Sequence, residues 1–86
     1  MALVELKSLK FIDASHIRMA RAGANLTVRE VAVLSGMNKA TIVRIEAGYP
    51  VRETSLKAVK STLEEKGVKF LMCDASKDIF IGVDAN

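Results

Sequence analysis

The 86 residues of this chain, half of them apolar, suffice for one domain with a small core, so a second stabilising device such as dimerisation is expected. The net charge of +3 is unevenly placed: residues 14–60 hold eight Lys or Arg against three Asp or Glu, and residues 61–86 hold three against five. A basic centre suits a surface that faces phosphates, but it also fits an ordinary surface of mixed charge. The sequence has no long apolar run and no signal segment, which excludes a membrane partner and predicts a soluble, cytoplasmic protein.

The segment 1–13 is predicted to be either a short strand or an ordered arm, because apolar and polar residues alternate weakly there. A first helix then begins near Asp13 or Ser15, since either residue offers an oxygen to the first free backbone amides. It ends near Ala22, before residues that tolerate a sharp turn.

Two further helices follow, with a glycine between them. Thr27 and Glu30 have the spacing of a capping box, in which each side chain satisfies the backbone amide of the other, and they mark the start of the second helix. Gly36 permits a tight turn, and the third helix begins at Asn38. Two short helices joined in this way form the geometry that enters the major groove of DNA, where polar side chains can distinguish base pairs.

A fourth helix is predicted from about Thr54 to Lys66, followed by two β-type segments at 68–73 and 79–83. We therefore predict a mainly α fold, with four helices in a helix-turn-helix domain, a C-terminal β-hairpin and a candidate N-terminal strand. The corresponding divisions are 1–13 for the arm or strand, 14–67 for the DNA-binding domain and 68–86 for the hairpin.

The hairpin admits two interpretations. Its apolar side chains could cover the fourth helix within one subunit, or its strands could pair with, or pack against, a second subunit. The second interpretation is favoured because two strands alone are marginally stable and an exposed edge invites another chain. The predicted dimerisation residues are Phe70, Met72, Ile79 and Ile81.

Four blocks of sequence together resemble a known family. The blocks are IRMAR at 17–21, LTVREVA at 26–32, GMNKATI at 36–42 and RIEAG at 44–48. Their joint spacing is similar to that of the phage-repressor and Cro-type helix-turn-helix, the xenobiotic response element family. The resemblance covers about residues 14–67 and implies a sequence-specific transcriptional regulator whose partner is a double-stranded DNA operator.

The resemblance also implies which residues read bases. Lys39, Ala40 and Arg44 would occupy base-facing positions of the third helix, with Asn38 as its cap and Thr41 as a further polar candidate. Arg44 is the strongest candidate, because an Arg can donate two hydrogen bonds at once to the O6 and N7 atoms of guanine. Ala40 is too short to hydrogen-bond a base edge and could instead contact a thymine methyl.

Phosphate contacts are implied for Thr27, at a helix start, and for Arg52, beyond the third helix. Val28 stands where the family commonly has a phosphate-binding glutamine. Arg29 could replace that contact, or it could be an exposed arginine with no such role.

The family pattern further pairs Arg21 of the first helix with Glu46, late in the third. A carboxylate facing phosphates would be repelled by them, so we interpret this pair as structural, fixing one helix against another.

Catalysis is not indicated by any motif. The only cysteine, Cys73, has no second Cys or His at ligand spacing, and the serines lack a nucleophile context, so no enzyme, metal, cofactor or small-molecule ligand is predicted. We expect a homodimeric repressor, in the simplest case of its own promoter, although small activators of the family stay open. The alternative is an antitoxin or anti-activator whose main role is protein–protein interaction through the hairpin.

Overall fold

The computed structural model describes residues 2–84, so residues 1, 85 and 86, at the outer ends of the predicted segments 1–13 and 68–86, lie outside the described part. Within it, the helices are α1 (Ala14–Gly23), α2 (Val28–Ser35), α3 (Lys39–Ala47) and α4 (Glu53–Glu65). The strands β1 (Leu3–Glu5), β2 (Val68–Cys73) and β3 (Ile79–Val83) form an antiparallel sheet in the order β1-β2-β3. The predicted mainly α fold with a C-terminal hairpin is confirmed, and the N-terminal segment supplies the third strand.

Hydrogen-bonding side chains fix where α1 and α2 begin. The Asp13 carboxylate accepts from the backbone N–H groups of Ser15 and His16, at 2.9 and 3.2 Å. At α2 the Thr27 hydroxyl oxygen accepts from the N–H of Glu30 at 3.1 Å, and the Glu30 carboxylate accepts from the N–H of Thr27 at 2.9 Å. Each bond satisfies an amide that a helix start otherwise leaves without an intrahelical partner.

Acid is expected to weaken these two caps. The Ser15 side chain holds the pKa of Asp13 below its usual range, and the backbone of Thr27 does the same for the pKa of Glu30. A carboxyl group whose pKa is lower in the folded than in the unfolded state stabilises the fold above the unfolded pKa, and that contribution is lost as the pH falls through the folded pKa. We therefore expect the urea midpoint to decrease below about pH 4.

Asp13→Asn isolates one of these contributions, because asparagine caps a helix as well as aspartate does but does not titrate. The urea midpoint of this variant should fall less steeply with decreasing pH than that of the wild type. Asp78→Asn, which changes an exposed carboxylate outside the helices, serves as the control. Parallel acid profiles for wild type and Asp13→Asn would show that the Asp13 cap carries no pH-dependent stability.

The turn between α2 and α3 depends on Gly36. Its φ of 74° lies in the left-handed region, where residues with a Cβ are strained, and its N–H closes the last turn of α2 onto the carbonyl of Ala32. Two residues later the chain is extended at Asn38, which caps α3. The short connection sets α3 across α2 and leaves one side of α3 facing outward.

One apolar core joins the helices to the sheet. The side chains of Ile17, Ile42, Leu63 and Phe70 are among the largest that are fully buried. The core also includes Leu6 and Ile12 from the N-terminal segment and Val68 from β2. All three predicted segments of the chain therefore contribute to the same core, and none of the helices within residues 2–84 is both long and apolar enough to span a membrane.

The register of the hairpin decides which of its side chains face the helices. Phe70 pairs with Ile81 and Met72 with Ile79, and successive residues point to opposite faces of a strand. Phe70 is fully buried, and the other three are half-buried against the core. Phe70, predicted as a dimer contact, is therefore a core residue of its own chain, because this face of the sheet packs on α4 and α1.

The opposite face of the sheet is partly apolar and also carries the charged residues Glu5 and Lys69. It carries Phe80, which is 47% exposed, together with Leu71 beside it on β2 and Leu3 on β1. We call Leu3, Leu71 and Phe80 the outer face.

Candidate nucleic-acid interface

Helix α3 buries one side and exposes the other. Ile42 and Ile45 point into the core, whereas the predicted base-reading residues lie outside it. These are Asn38, Lys39, Ala40 and Arg44, which are exposed, and Thr41, which is half-buried. The amino-terminal half of α3 is thus presented as a polar, basic surface of the kind that fits a major groove.

Asn38 and Thr41 are linked at the start of α3. The amide oxygen of Asn38 accepts from the backbone N–H of Thr41 at 2.9 Å and from its hydroxyl at 3.0 Å. The hydroxyl of Thr41 is thus engaged within the chain, where it orients the cap. The amide nitrogen of Asn38 and the ammonium of Lys39 remain donors that can serve outside partners.

Arg44 lies back against the loop that follows α3. Its Nη2 atom donates to the carbonyl of Pro50 at 3.3 Å, and its guanidinium carbon is 5.6 Å from the centroid of the Tyr49 ring. Both contacts are at an exposed site, where a cation–π contact contributes only about 0.5–1 kcal/mol. The guanidinium is therefore held near the exposed side of α3 by contacts that an outside hydrogen-bond acceptor can replace at low cost.

Arg44 and Arg52 line the same open hollow between α3 and the start of α4. The other residues of this hollow are Thr41, Pro50, Val51 and Ser55. Arg52 immediately precedes α4, and among the described residues no side chain caps the first amides of that helix. Two guanidinium groups beside the positive end of a helix dipole form a local potential that attracts a backbone phosphate.

Arg29 lies elsewhere. It lines a shallow, mainly apolar hollow with Leu26, Val33, Leu34 and two charged residues, Glu30 and Lys66, and no residue of α3 takes part in it. Thr27 caps the start of α2, and its hydroxyl and N–H are both used in the capping box. The fold thus brings Arg52 to two of the predicted base-reading residues, Thr41 and Arg44, and leaves Arg29 apart from them.

Arg21 and Glu46 form a bidentate ion pair between α1 and α3. Nε of Arg21 donates to Oε2 of Glu46 at 2.6 Å and Nη2 donates to Oε1 at 2.9 Å, while Nη1 donates to the carbonyl of Leu26 at 2.9 Å. Their side chains are only 23% and 10% exposed, and the hydrogen bond with Glu46 raises the pKa of Arg21. Arg18 adds a hydrogen bond to the carbonyl of Glu46. These contacts fix the carboxyl end of α3 against α1.

Comparison with known families decides what this arrangement is. The model of the helix-turn-helix family matches residues 17–64, which is more than half of the chain and includes both helices of the motif. This chain belongs to the phage-repressor and Cro-type helix-turn-helix family. The helix-turn-helix protein is therefore a DNA-binding transcription regulator, and its family is not one of enzymes. A search of curated proteins gave no match, and within residues 2–84 no group of three or more His, Cys, Asp or Glu could hold a metal ion.

Three surface residues of the helix-turn-helix protein were not among those predicted for its site. Val43 is half-exposed, because it lies about 100° around the helix from the buried Ile42. Arg18 is one turn before Arg21 on α1, a spacing from which its place beside α3 could have been inferred. Tyr49 reaches Arg44 only because the chain reverses at Gly48, and no local sequence signal indicates that contact.

The ion pair of the helix-turn-helix protein yields a stability prediction. Removing one partner leaves the other charge with little water, so Glu46→Ala should lower the free energy of unfolding by about 2 kcal/mol, less than for a fully buried pair because part of the pair is solvated. Urea unfolding of Arg21→Met, Glu46→Ala and the double variant measures this loss and the coupling between the two side chains. Additive losses in that cycle would mean that the pair contributes nothing of its own.

Proposed function

We propose that this regulator is a homodimeric repressor that binds an inverted-repeat operator through the major groove. The observation that carries the proposal is the polar amino-terminal half of α3, exposed on a helix whose other side is buried and whose end is fixed by Glu46. A rigidly held helix with outward donors is what direct reading of base edges requires. Residues 14–67 are the DNA-binding part in this proposal.

Base reading is assigned to the exposed side chains of α3. Arg44 donates to guanine, Lys39 does so with a less rigid geometry, and the amide nitrogen of Asn38 supports them at the helix start. Ala40 contacts a thymine methyl, and Thr41 acts through Asn38. Few direct base contacts per copy follow from this set.

Phosphate binding is assigned to Arg52 and to the start of α2 at Thr27. Both belong to helix starts, where the amides outside any cap and the helix dipole favour an anion. Such contacts set the orientation of the protein on the duplex without selecting a sequence.

Replacing Arg52 tests that division of roles. Arg52→Ala should weaken binding to operator and to random duplexes by the same factor, and should reduce the slope of log K against log salt by about 0.9, because one phosphate contact is lost. Fluorescence anisotropy titrations at several salt concentrations measure both quantities. A changed ranking among duplexes would instead identify Arg52 as a base-reading residue.

Dimerisation, assigned to residues 68–86, compensates for the small number of base contacts in one copy. Two copies related by a two-fold axis read two half-sites whose centres are about 34 Å apart, one turn of the DNA helix. The free energies of the two half-site contacts then add within one complex.

The dimer represses transcription by occupying a promoter. A dimer bound across a promoter excludes polymerase without any additional contact, and the promoter of its own gene is the simplest target. A reporter joined to that promoter should be lowered by the wild-type protein and restored by Arg44→Ala. Lys66→Ala removes a similar charge at the far end of α4 and should leave repression intact. A reporter that is raised, or unaffected, by the wild-type protein contradicts the proposal.

A further inference from the structure

Strand β3 has hydrogen-bonding groups on one side that make no backbone hydrogen bond within residues 2–84. The β2–β3 ladder is bracketed by bonds from the N–H of Cys73 to the carbonyl of Asp78 and from the N–H of Asp84 to that of Gly67, both 2.9 Å long. Bonded and non-bonded pairs alternate in an antiparallel ladder. The residues whose N–H and C=O groups point away from β2 are therefore Ile79, Ile81 and Val83.

This edge carries none of the features by which proteins discourage strand pairing. The sequence of β3, IFIGV, contains no charge and no proline, and its register with β2 is continuous. Phe80 and Val83 are 47% and 42% exposed. The other edge of the sheet, β1, has only three residues, one of which is Glu5.

Helix α1 packs against β3. One of its contacts is between Gly23 and the side chain of Val83, where an added Cβ would be 2.8 Å from Cγ2 of Val83. Side chains stand perpendicular to a sheet, whereas the free N–H and C=O groups lie in its plane. Contact through the side chain of Val83 is therefore compatible with a strand joining in the plane of the sheet.

The strand is complementary to itself in one register. If two copies of β3 run antiparallel about a two-fold axis at Ile81, then Ile79 of each copy is opposite Val83 of the partner subunit and Phe80 is opposite Gly82 of the partner subunit. The outward N–H and C=O groups of the two strands then face each other and form about six hydrogen bonds. The missing side chain of Gly82 leaves room for the Phe80 ring, an aromatic–glycine arrangement that stabilises paired strands.

We propose that two copies of this chain join through the β3 edge, which makes one six-stranded sheet from the two three-stranded ones. This inference rests on the proposed dimeric function and names the surface that forms the dimer. Ile79 and Ile81 contribute through their backbone groups as well as their side chains, and Phe80 supplies the main contact on the outer face. The continuous sheet links the two DNA-binding parts through a rigid element.

Amide hydrogen exchange on the full chain without DNA, combined with sedimentation velocity, tests the interface. The N–H groups of Phe80 and Gly82 bond within the hairpin and should be protected in monomer and dimer alike. Those of Ile79, Ile81 and Val83 should be protected only at concentrations where the dimer forms. A dimer in which these three amides exchange freely overturns the proposal, and so does a chain that stays monomeric at millimolar concentration.

A pair of variants separates the backbone contribution from the side chain. Val83→Pro and Val83→Ala both shorten a half-exposed side chain, but only proline removes the outward N–H, which the ladder with β2 does not use. The dimer dissociation constant should be about tenfold higher, or more, for proline than for alanine. Equal constants in two variants that retain the wild-type circular dichroism spectrum would contradict edge pairing.

The sequence preference of DNA binding is measured separately from the dimer and tests the proposed function. A chain that forms the β3-linked dimer but prefers no sequence would overturn the proposed function and leave the interface in place. A monomer that binds a single half-site with sequence preference would overturn the interface and leave the reading role of α3 in place.

Discussion

Replacing Arg44 by alanine is expected to reduce discrimination between the operator and duplexes altered at the contacted guanine by about 5- to 150-fold, the equivalent of about 1–3 kcal/mol. The loss arises because a bidentate pair of donors disappears from the exposed side of α3. The weak contacts that Arg44 makes with Pro50 and Tyr49 contribute little to stability, so the variant should fold normally. Anisotropy titrations against the operator and its single-base variants give the ratio directly.

Arg44→Lys is the matched control, since lysine keeps the charge but not the planar fork of donors. It should retain most of the salt dependence while losing much of the preference for guanine. If Arg44→Ala instead weakens every duplex by the same factor, Arg44 binds phosphate, and the base-reading role falls to Lys39 and Asn38.

The second large effect concerns the hairpin. Phe70→Ala should lower the free energy of unfolding by about 3–5 kcal/mol, because the ring is fully buried beneath α4 and its removal leaves a cavity. The ammonium of Lys60, 5.4 Å from the ring centroid, loses a cation–π partner as well. Since proteins are stable by only about 5–15 kcal/mol, the urea midpoint should fall by between about one fifth and the whole of its wild-type value.

Phe80→Ala makes the same substitution on the opposite face of the hairpin, where the ring is half-exposed. Its effect should depend on protein concentration, because the ring belongs to the surface proposed for the partner subunit, whereas the effect of Phe70→Ala should be present at every concentration. Similar, concentration-independent losses for the two variants would mean that the assignment of the two faces is wrong.

The helix boundaries of the motif could be predicted from the sequence because they are set by local hydrogen bonds. Thr27 with Glu30, and Asn38 with Thr41, are close along the chain and carry the groups that satisfy a helix start. The resemblance to the family also implied the partnership of Arg21 with Glu46, whose atoms meet across two helices.

The orientation of the hairpin could not be predicted in the same way. Alternation places Phe70 and Phe80 on opposite faces, and the face of Phe80 mixes the charged Lys69 with apolar side chains that a second subunit could cover, so both interpretations of the hairpin stay open from the sequence. That choice depends on how α4 lies across the sheet. The positions of Arg29 and Tyr49 likewise depend on tertiary packing, since a helix surface and a loop residue carry no local signal of their neighbours.

Selection by the purified full chain from a pool of random DNA duplexes, at moderate salt, tests the reading role of α3 most directly. We predict enrichment of an inverted repeat whose half-site centres are about 34 Å apart, with a guanine at equivalent positions of the two half-sites. Recovery of no preferred sequence, while binding itself is retained at low salt, would contradict the assignment of α3 as the reader of an operator.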